Sequence, residues 1–327
     1  MIVEATPNGI CLPEIGLWLD AREPSPACWI SHAHRDHARS AHGLVVATSA
    51  TLSLYQARVN GELGGGNQML ALNYGECLEW RGARLTALPA GHIVGAAQLL
   101  VEYGGERLLY TGDIKLRAPL CGTQSVVVPC DQLIVESTFG LPIYHFIERE
   151  EARQRIAAFA QECLVEQATP VFLGYALGRG QEIVYALRQA GIPVAVHGAI
   201  ARFLPFYAEQ GFDAAGWEPY EKGSHRGRAL VLAPGMRKFL EASGKDYRIA
   251  YVSGWAAVSN ARARVGAECL IPYSDHADFE ELIQLVTQSG ARRVHVVHGY
   301  VSAFARILRQ RGIEAEAVEG PSEAIQE

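Results

Sequence analysis

The chain has 327 residues, 49% hydrophobic and 20% charged, and its 29 Lys and Arg against 35 Asp and Glu leave a formal net charge of −6 at pH 7. That length suits one large or two medium domains, the composition excludes a disordered chain, and no apolar run reaches the ~18 residues of a membrane-spanning helix. The acidic balance argues against bulk attraction to a polyanion, so any affinity for phosphate is expected to be local.

The opening stretch, MIVEATPNGICLPE, lacks a basic segment followed by an apolar core, so secretion is not signalled and a cytoplasmic protein is expected. Seven scattered cysteines without a C-x-x-C pair fit reduced thiols better than a disulfide framework. The first ~140 residues are rich in short apolar runs with Gly or Pro turns, among them Leu85–Leu88, Gln98–Tyr103 and Arg107–Thr111. From Ile147 the texture changes. Ala152, Ile156, Phe159 and Cys163 recur at helical spacing, and Val171–Leu173, Val194–Val196, Ala229–Leu232 and Ile249–Val252 read as buried strands between helices, so the block from about 145 to 255 is expected to be a small doubly wound domain. Beyond it, Cys269–Ile271 and Val294–Val297 read as strands. Helices are expected at Phe279–Val286, with a core face of 279, 282, 283 and 286 and a capping pair in Asp278 and Glu281, and at Val301–Arg311, stopped by Gly312.

Six of these apolar runs end in a side chain suited to metal binding or proton transfer: His32, His92, Asp113, Glu136, His276 and His298. Strand ends are where α/β proteins assemble their sites, because rigid strands aim the residues and the loops beyond leave room for a ligand. The densest case is WISHAHRDHARS, which packs His32, His34, Asp36 and His37 into six positions. In an extended loop His32 and His34 point the same way and could share one ion, with Asp36 and His37 just beyond for a second. Imidazole and carboxylate without thiolate suit Zn²⁺ or Mn²⁺, and Asp113 in YTGD is the natural bridge between two ions. The competing reading, a hydrogen-bonded turn, would leave four polar groups costly to bury without a ligand. His295 alternates with His298 along its strand and is expected to be a packed histidine. The GELGGGNQ stretch at 61–68 lacks phosphate-loop spacing and reads as a turn. Basic groups at Lys222, His225, Arg226 and Arg228, at Arg262 and Arg264, and at Arg292 and Arg293 read equally well as phosphate contacts or as solvated faces.

H-x-H-x-D-H at 32–37, AGHIVGAAQ around His92 and TGD at 111–113, in that order, resemble the signature set of the metallo-β-lactamase superfamily. VESTFG at Glu136, GYALGRGQEI at 174–183, SDHAD at 274–278 and VVHG ending at Gly299 resemble its nucleic-acid-processing branch, which carries an inserted β-CASP domain. ESTFGLPIY and the compact length are most similar to bacterial ligase-associated DNA exonucleases, also called mRNA 3′-end processing factor-like proteins. The resemblance implies an α/β fold, a metallo-β-lactamase αββα sandwich in two parts, 1–144 and 256–327, interrupted by a small α/β β-CASP domain at 145–255. It implies two divalent metal ions, Zn or Mn, the first held by His32, His34 and His92 and the second by Asp36, His37 and His298, with Asp113 between them. Glu136 and His276 would be a hydrogen-bonded catalytic pair at the scissile phosphate, and Asp20 in GLWLDARE would support the metal loop from behind.

The activity implied is a two-metal phosphodiesterase, most similar to a DNA exonuclease of DNA repair, in which a metal-bridged hydroxide attacks the scissile phosphate and His276, its pKa raised by Glu136, protonates the leaving oxygen for about 10²–10⁴-fold in rate. Arg179, Ser274 and Ser137 are candidate phosphate contacts. Nucleic acid is the expected partner, DNA favoured over RNA, with an ATP-dependent DNA ligase and other repair factors beside it and no membrane. One position pulls the other way, since DNA-acting relatives akin to Artemis tend to carry an apolar residue where His298 stands and RNA-acting ones such as RNase J carry His. An RNA-processing nuclease of the RNase J or cleavage-and-polyadenylation type is therefore the alternative, ahead of a small-molecule hydrolase such as a thioesterase or a non-catalytic nucleic-acid-binding scaffold.

Overall fold

The computed structural model describes residues 1–39, 42–59, 68–221, 226–236, 247–258 and 260–318; the stretch 61–67, Lys222 and His225 lie outside them. The chain divides into two compact units. The first comprises Met1–Leu116, Thr123–Pro142 and the segment from Phe279 onward, the second Arg117–Gly122 and Ile143–Asp278. No described helix is long and apolar enough to cross a membrane.

Two sheets make up the first unit. One runs in spatial order through β1 (Glu4–Thr6), β2 (Gly9–Leu12), β3 (Leu17–Leu19), β4 (Ala27–Trp29), β5 (Leu44–Ala47) and β6 (Gln68–Ala71), antiparallel as far as β3 and parallel from there. The other has the order β19–β18–β11–β10–β9–β8–β7, where β7 is Cys77–Trp80, β8 Ala83–Pro89, β9 Ala97–Tyr103, β10 Glu106–Tyr110, β11 Gln132–Ser137, β18 Arg293–Gly299 and β19 Glu314–Ala317. Its hairpins close on two-residue turns, Arg81–Gly82 and Gly104–Gly105, in which both residues have positive φ (47° and 82°, 59° and 81°). Such turns match the right-handed twist of the strands they join, which is why glycine recurs there. Leu12, Leu17, Trp29 and Val46 of the first sheet pack against Leu85, Leu99, Leu108 and Ile134 of the second as one core. The outer face of the first sheet, through Cys28, Val45 and Ala47, packs on Tyr55 of the helix Ser49–Val59. Helices Phe279–Ser289 and Val301–Gln310 cover the second, their Phe279 and Phe304 rings meeting edge to face at 6.2 Å. With both faces covered, β11 is buried along its whole length, the reason its Leu133–Val135 centre is apolar without alternation.

The second unit is a six-stranded parallel sheet in the order β14–β13–β15–β12–β16–β17, with β12 at Thr169–Leu173, β13 at Val194–Val196, β14 at Glu218–Pro219, β15 at Ala229–Leu232, β16 at Tyr247–Val252 and β17 at Cys269–Ile271. Helix Arg149–Val165 buries Ala152, Ile156, Phe159 and Cys163, and with helix Arg179–Gln189 it packs on Phe172, Val194, Val231 and Ala250. The opposite face, Val171, Leu173, Leu230 and Ile249, packs on Ala256 and Ala267. A sheet with apolar layers on both faces is the doubly wound arrangement expected from the alternating pattern.

Two expectations need correction. The middle block does not end at 255. Strand β17 pairs with β16 in parallel, Ala250 opposite Cys269 and Val252 opposite Ile271, so it extends the second unit's sheet and the first unit resumes only at Phe279. A short apolar run announces a strand but not which edge accepts it. In helix Phe279–Ser289 the buried face is 279, 282, 285 and 286, with Ile283 only half-buried, and the carboxylate of Glu281 accepts the Leu116 amide at 2.9 Å while that of Asp278, in the second unit, accepts the Phe146 amide at 3.0 Å. Each of the two carboxylates thus also accepts an amide from another segment.

Candidate metal centre

The carboxyl ends of β3, β4, β8, β10, β11 and β18 supply the first unit's polar cluster. After Trp29 the chain leaves β4 as a loop that brings His32 and His37 into the interior, leaving His34 half-buried and Asp36 exposed. His92 follows β8 and is buried. The ring centroids of His32, His34 and His92 lie 4.6–4.9 Å apart, and the His37 ring lies 4.2 Å from His32 and 4.9 Å from His298. His34 Nδ1 is 3.1 Å from His32 Nε2 and 3.0 Å from His92 Nε2, and Asp113 Oδ2 is 3.4 Å from His32 Nε2, 3.4 Å from His37 Nε2 and 3.7 Å from His92 Nε2. A tetrahedral zinc ion with Zn–N bonds of about 2.0–2.1 Å separates its ligand atoms by about 3.3 Å, in the middle of this range. Imidazole lone pairs converging on a carboxylate at that spacing fit a divalent cation.

Asp113 owes its position to a turn. Gly112, at φ 55°, lies so close to Ser31 that a Cβ there would stand 2.5 Å from the serine Cβ, and the amide of Ile114, just past Asp113, donates to Glu136 Oε1 at 2.8 Å. Glu136 is fully buried, and its other oxygen accepts the Thr138 amide at 3.2 Å. The carboxylate that ends β11 therefore braces the loop that presents Asp113. His298 reaches the cluster through a β-bulge. Glu136 pairs with Val297 and Ser137 with Gly299, so His298 is the extra residue, at φ 52°, and leaves the alternation that would otherwise set its direction. His295, which keeps the alternation, is buried between Glu316 at 2.6 Å and Gln132 at 3.0 Å, as expected of a packed histidine.

Asp20, at the end of β3 with φ 45°, stands behind the cluster. It accepts from Ser31 N at 2.7 Å, Ser31 Oγ at 2.5 Å, His37 Nδ1 at 2.7 Å and Tyr110 Oη at 2.7 Å. Burial, reinforced by Asp20, pushes the Tyr110 phenol well above its usual range, so it acts only as a donor. Burial works against a charge on His37, but Asp113, Asp36 and Asp20 together raise its pKa well above that of free imidazole. His37 and then His34 hold the carboxyl of Asp36 well below the usual carboxylate range. His298 is exposed at the rim of the cluster, where the adjoining His37 disfavours a charge on its ring.

No protein-family profile matches the chain. A probable DNA ligase from Opitutus terrae is 32% identical over 315 residues, 95% of this chain and 30% of that protein. Cleavage and polyadenylation specificity factor subunit 3 of Dictyostelium discoideum is 31% identical over 118 residues, 36% of this chain and 15% of that protein. The chain thus spans less than a third of either relative. Among solved structures, a protein of unknown function from Enterococcus faecalis superposes with a TM-score of 0.63 at 13% identity over 88% of this chain and 78% of that one, a likeness of fold. The chain is similar to these two nucleic-acid enzymes by name, in keeping with the resemblance read from its motifs.

Of the residues expected to form the site, the structure brings His32, His34, His37, His92, His298 and Asp113 together, with Asp36 at 3.7 Å from His37 Nε2 and Asp20 behind. The three phosphate candidates are all buried. Ser137 is fully buried and its hydroxyl donates to the His298 carbonyl, so it pins the bulge. Arg179 is buried, its guanidinium ion-paired with Glu182 and, at 3.0 Å, with Asp275, and stacked 4.6 Å above the Tyr273 ring, all inside the second unit. Ser274 is buried and its oxygen accepts the His276 amide at 3.0 Å, shaping the turn that carries His276. Of the basic groups, Arg228 pairs with Glu218, and Arg293 with Glu314 at 3.4 Å. Sequence reasoning missed Ser31 and Tyr110, although each stands immediately before a motif, HAHRDH and TGD respectively.

Proposed function

We propose that the chain is a two-metal phosphodiesterase acting on nucleic acid, most simply a DNA exonuclease of DNA repair. The first unit would be a metallo-β-lactamase αββα sandwich and the second a β-CASP domain. The observation that carries the reading is the convergence of His32, His34, His37, His92 and Asp113 within a few ångströms, with Asp20 behind them. His32, His34 and His92 would hold one cation, Asp36, His37 and His298 a second, and Asp113 would lie between them. When bound, two such cations, Zn²⁺ or Mn²⁺, make water nucleophilic near neutral pH and offset charge that builds on a phosphate. The protein's own residues do the rest. Glu136 holds the Asp113 loop through the Ile114 and Thr138 amides, the bulge keeps His298 at the rim, and His276 delivers the proton to the leaving oxygen as general acid.

DNA is favoured because similarity over 95% of the chain is to a protein named a probable DNA ligase. A relative that carries this region within one such polypeptide supports an ATP-dependent DNA ligase and other repair factors as working partners. A cytoplasmic location accords with the seven free cysteines. The second reading, an RNA-processing nuclease, is favoured by His298 and by the likeness to the cleavage and polyadenylation factor. Purified protein with Zn²⁺ or Mn²⁺, given matched DNA and RNA strands labelled at either end, decides between them. Stepwise shortening of DNA alone supports the first reading, cutting of RNA alone supports the second, and the absence of cleavage of either with both metals overturns the nuclease.

A further inference from the structure

We infer that Ser31 and Tyr110 are positioning residues around one buried carboxylate, Asp20, which orients a ligand of each proposed metal position, His32 through Ser31 and His37 directly, while Tyr110 anchors it; the inference rests on the two-ion reading above. A serine hydroxyl has one hydrogen. In Ser31 it goes to Asp20 Oδ2 at 2.5 Å, while the same oxygen lies 3.0 Å from His32 Nδ1. Having given its proton away, the hydroxyl only accepts from the ring, so His32 carries its hydrogen on Nδ1 and the lone pair of the neutral imidazole falls on Nε2, 3.4 Å from Asp113 Oδ2. His37 is oriented by the same carboxylate without an intermediary, Nδ1 donating at 2.7 Å, which turns its Nε2 toward Asp113, also at 3.4 Å.

Ser31 is fixed from three sides. Its amide donates to Asp20 Oδ1 at 2.7 Å, its carbonyl accepts the Ala97 amide at 2.8 Å, and Gly112 leaves no space for a Cβ against it. Tyr110, at the end of β10, places its hydroxyl on Asp20 Oδ2 at 2.7 Å, so that oxygen receives three donors and has no freedom to rotate toward the cluster as a ligand. The two arms are unequal. Asp20 reaches His37 directly and His32 only through Ser31, so loss of the serine hydroxyl disturbs one metal position and loss of the Asp20 carboxylate disturbs both.

The full chain labelled with ¹⁵N-histidine, wild type and Ser31→Ala, tests this by two readouts. Long-range ¹H–¹⁵N correlation spectra of the metal-free proteins report which ring nitrogen of His32 is protonated, and Zn²⁺ titration by calorimetry reports stepwise affinities. The wild type is expected to show His32 as the Nδ1–H form. Ser31→Ala loses that preference and binds one of the two ions about 10–100-fold more weakly, with the other unchanged. Ser31→Thr, which keeps the hydroxyl, restores both, Asp20→Asn weakens both ions, and Tyr110→Phe weakens both to a smaller degree. An Nε2–H wild-type His32, or a Ser31→Ala protein unchanged in tautomer and in both affinities, overturns the inference. A wild type that binds no Zn²⁺ instead overturns the two-ion reading, and the tautomer comparison still decides the relay.

Discussion

Each unit buries a polar network, and the two are built on opposite terms. In the second unit Arg179 meets Glu182 and Asp275 over the Tyr273 ring, and the Leu120 amide closes on Glu182 at 2.9 Å, so the cation is part of the chain, although its buried Nε makes no hydrogen bond. In the first unit ring nitrogens and the Asp113 carboxylate face one another at 3.0–3.7 Å, and a positive charge there is either a histidine's proton or an ion from solution. A network that carries its own cation rigidifies a core, whereas one whose cation is not fixed in the chain has chemistry left to do.

The largest effect should come from the first unit's network. Asp113→Ala removes the acceptor shared by three rings, and the loss of several kcal/mol of charge stabilisation should lower nuclease turnover by about 10³-fold or more, with metal content reduced in elemental analysis. Unchanged turnover would dismiss the contrast. Next is the second unit's network. Arg179→Met leaves two buried carboxylates without their cation and should cost about 3 kcal/mol or more in urea unfolding, while bound metal per folded molecule stays at the wild-type level. A loss of metal with no loss of stability would mean that Arg179 serves the other unit.

Chelation should separate the two more gently. Removing metal with EDTA should lower the stability of the wild type by about 3 kcal/mol for an ion previously present at 100 times its dissociation constant, and Arg179→Met should lose a similar increment if the networks are independent. The smallest effect concerns acid. Burial lowers the pKa of His197, whose Nδ1 accepts the Ala199 amide at 3.2 Å and so needs a lone pair. A histidine depressed in the folded state binds its proton more readily when unfolded, so its contribution is complete above about pH 6.5 and is lost as the pH falls below that value. His197→Ala should flatten the fall of the urea midpoint between about pH 6.5 and 5, and an unaltered slope would show that His197 takes no part in it.

The motif residues were legible because their chemistry is written in residue type. Four metal-binding side chains in six positions after an apolar run are rarely assembled for anything but a cation, and His32, His34 and His37 do converge with His92 and Asp113. Strands such as Val194–Val196 and Ala229–Leu232 were legible from apolar runs bounded by turns. Arg179 was less legible because Gly-Arg-Gly at a helix start looks the same whether the side chain turns outward to phosphate or inward to Glu182. Ser137 was less legible because a hydroxyl beside Glu136 gives no sign that a bulge on the neighbouring strand, at His298, needs it as a donor.

The sequence by itself determined the kinds of atom available to the site and the strand ends that carry them, because periodicity and residue type are local properties of the chain. Only the tertiary structure decided which nitrogen faces inward, which serine orients a histidine and which merely ties a bulge, and where the second unit's sheet acquires its last strand. Those depend on hydrogen bonds between segments as far apart as Asp20 and Tyr110, whose partners are chosen by packing and leave no trace in either neighbourhood of the chain.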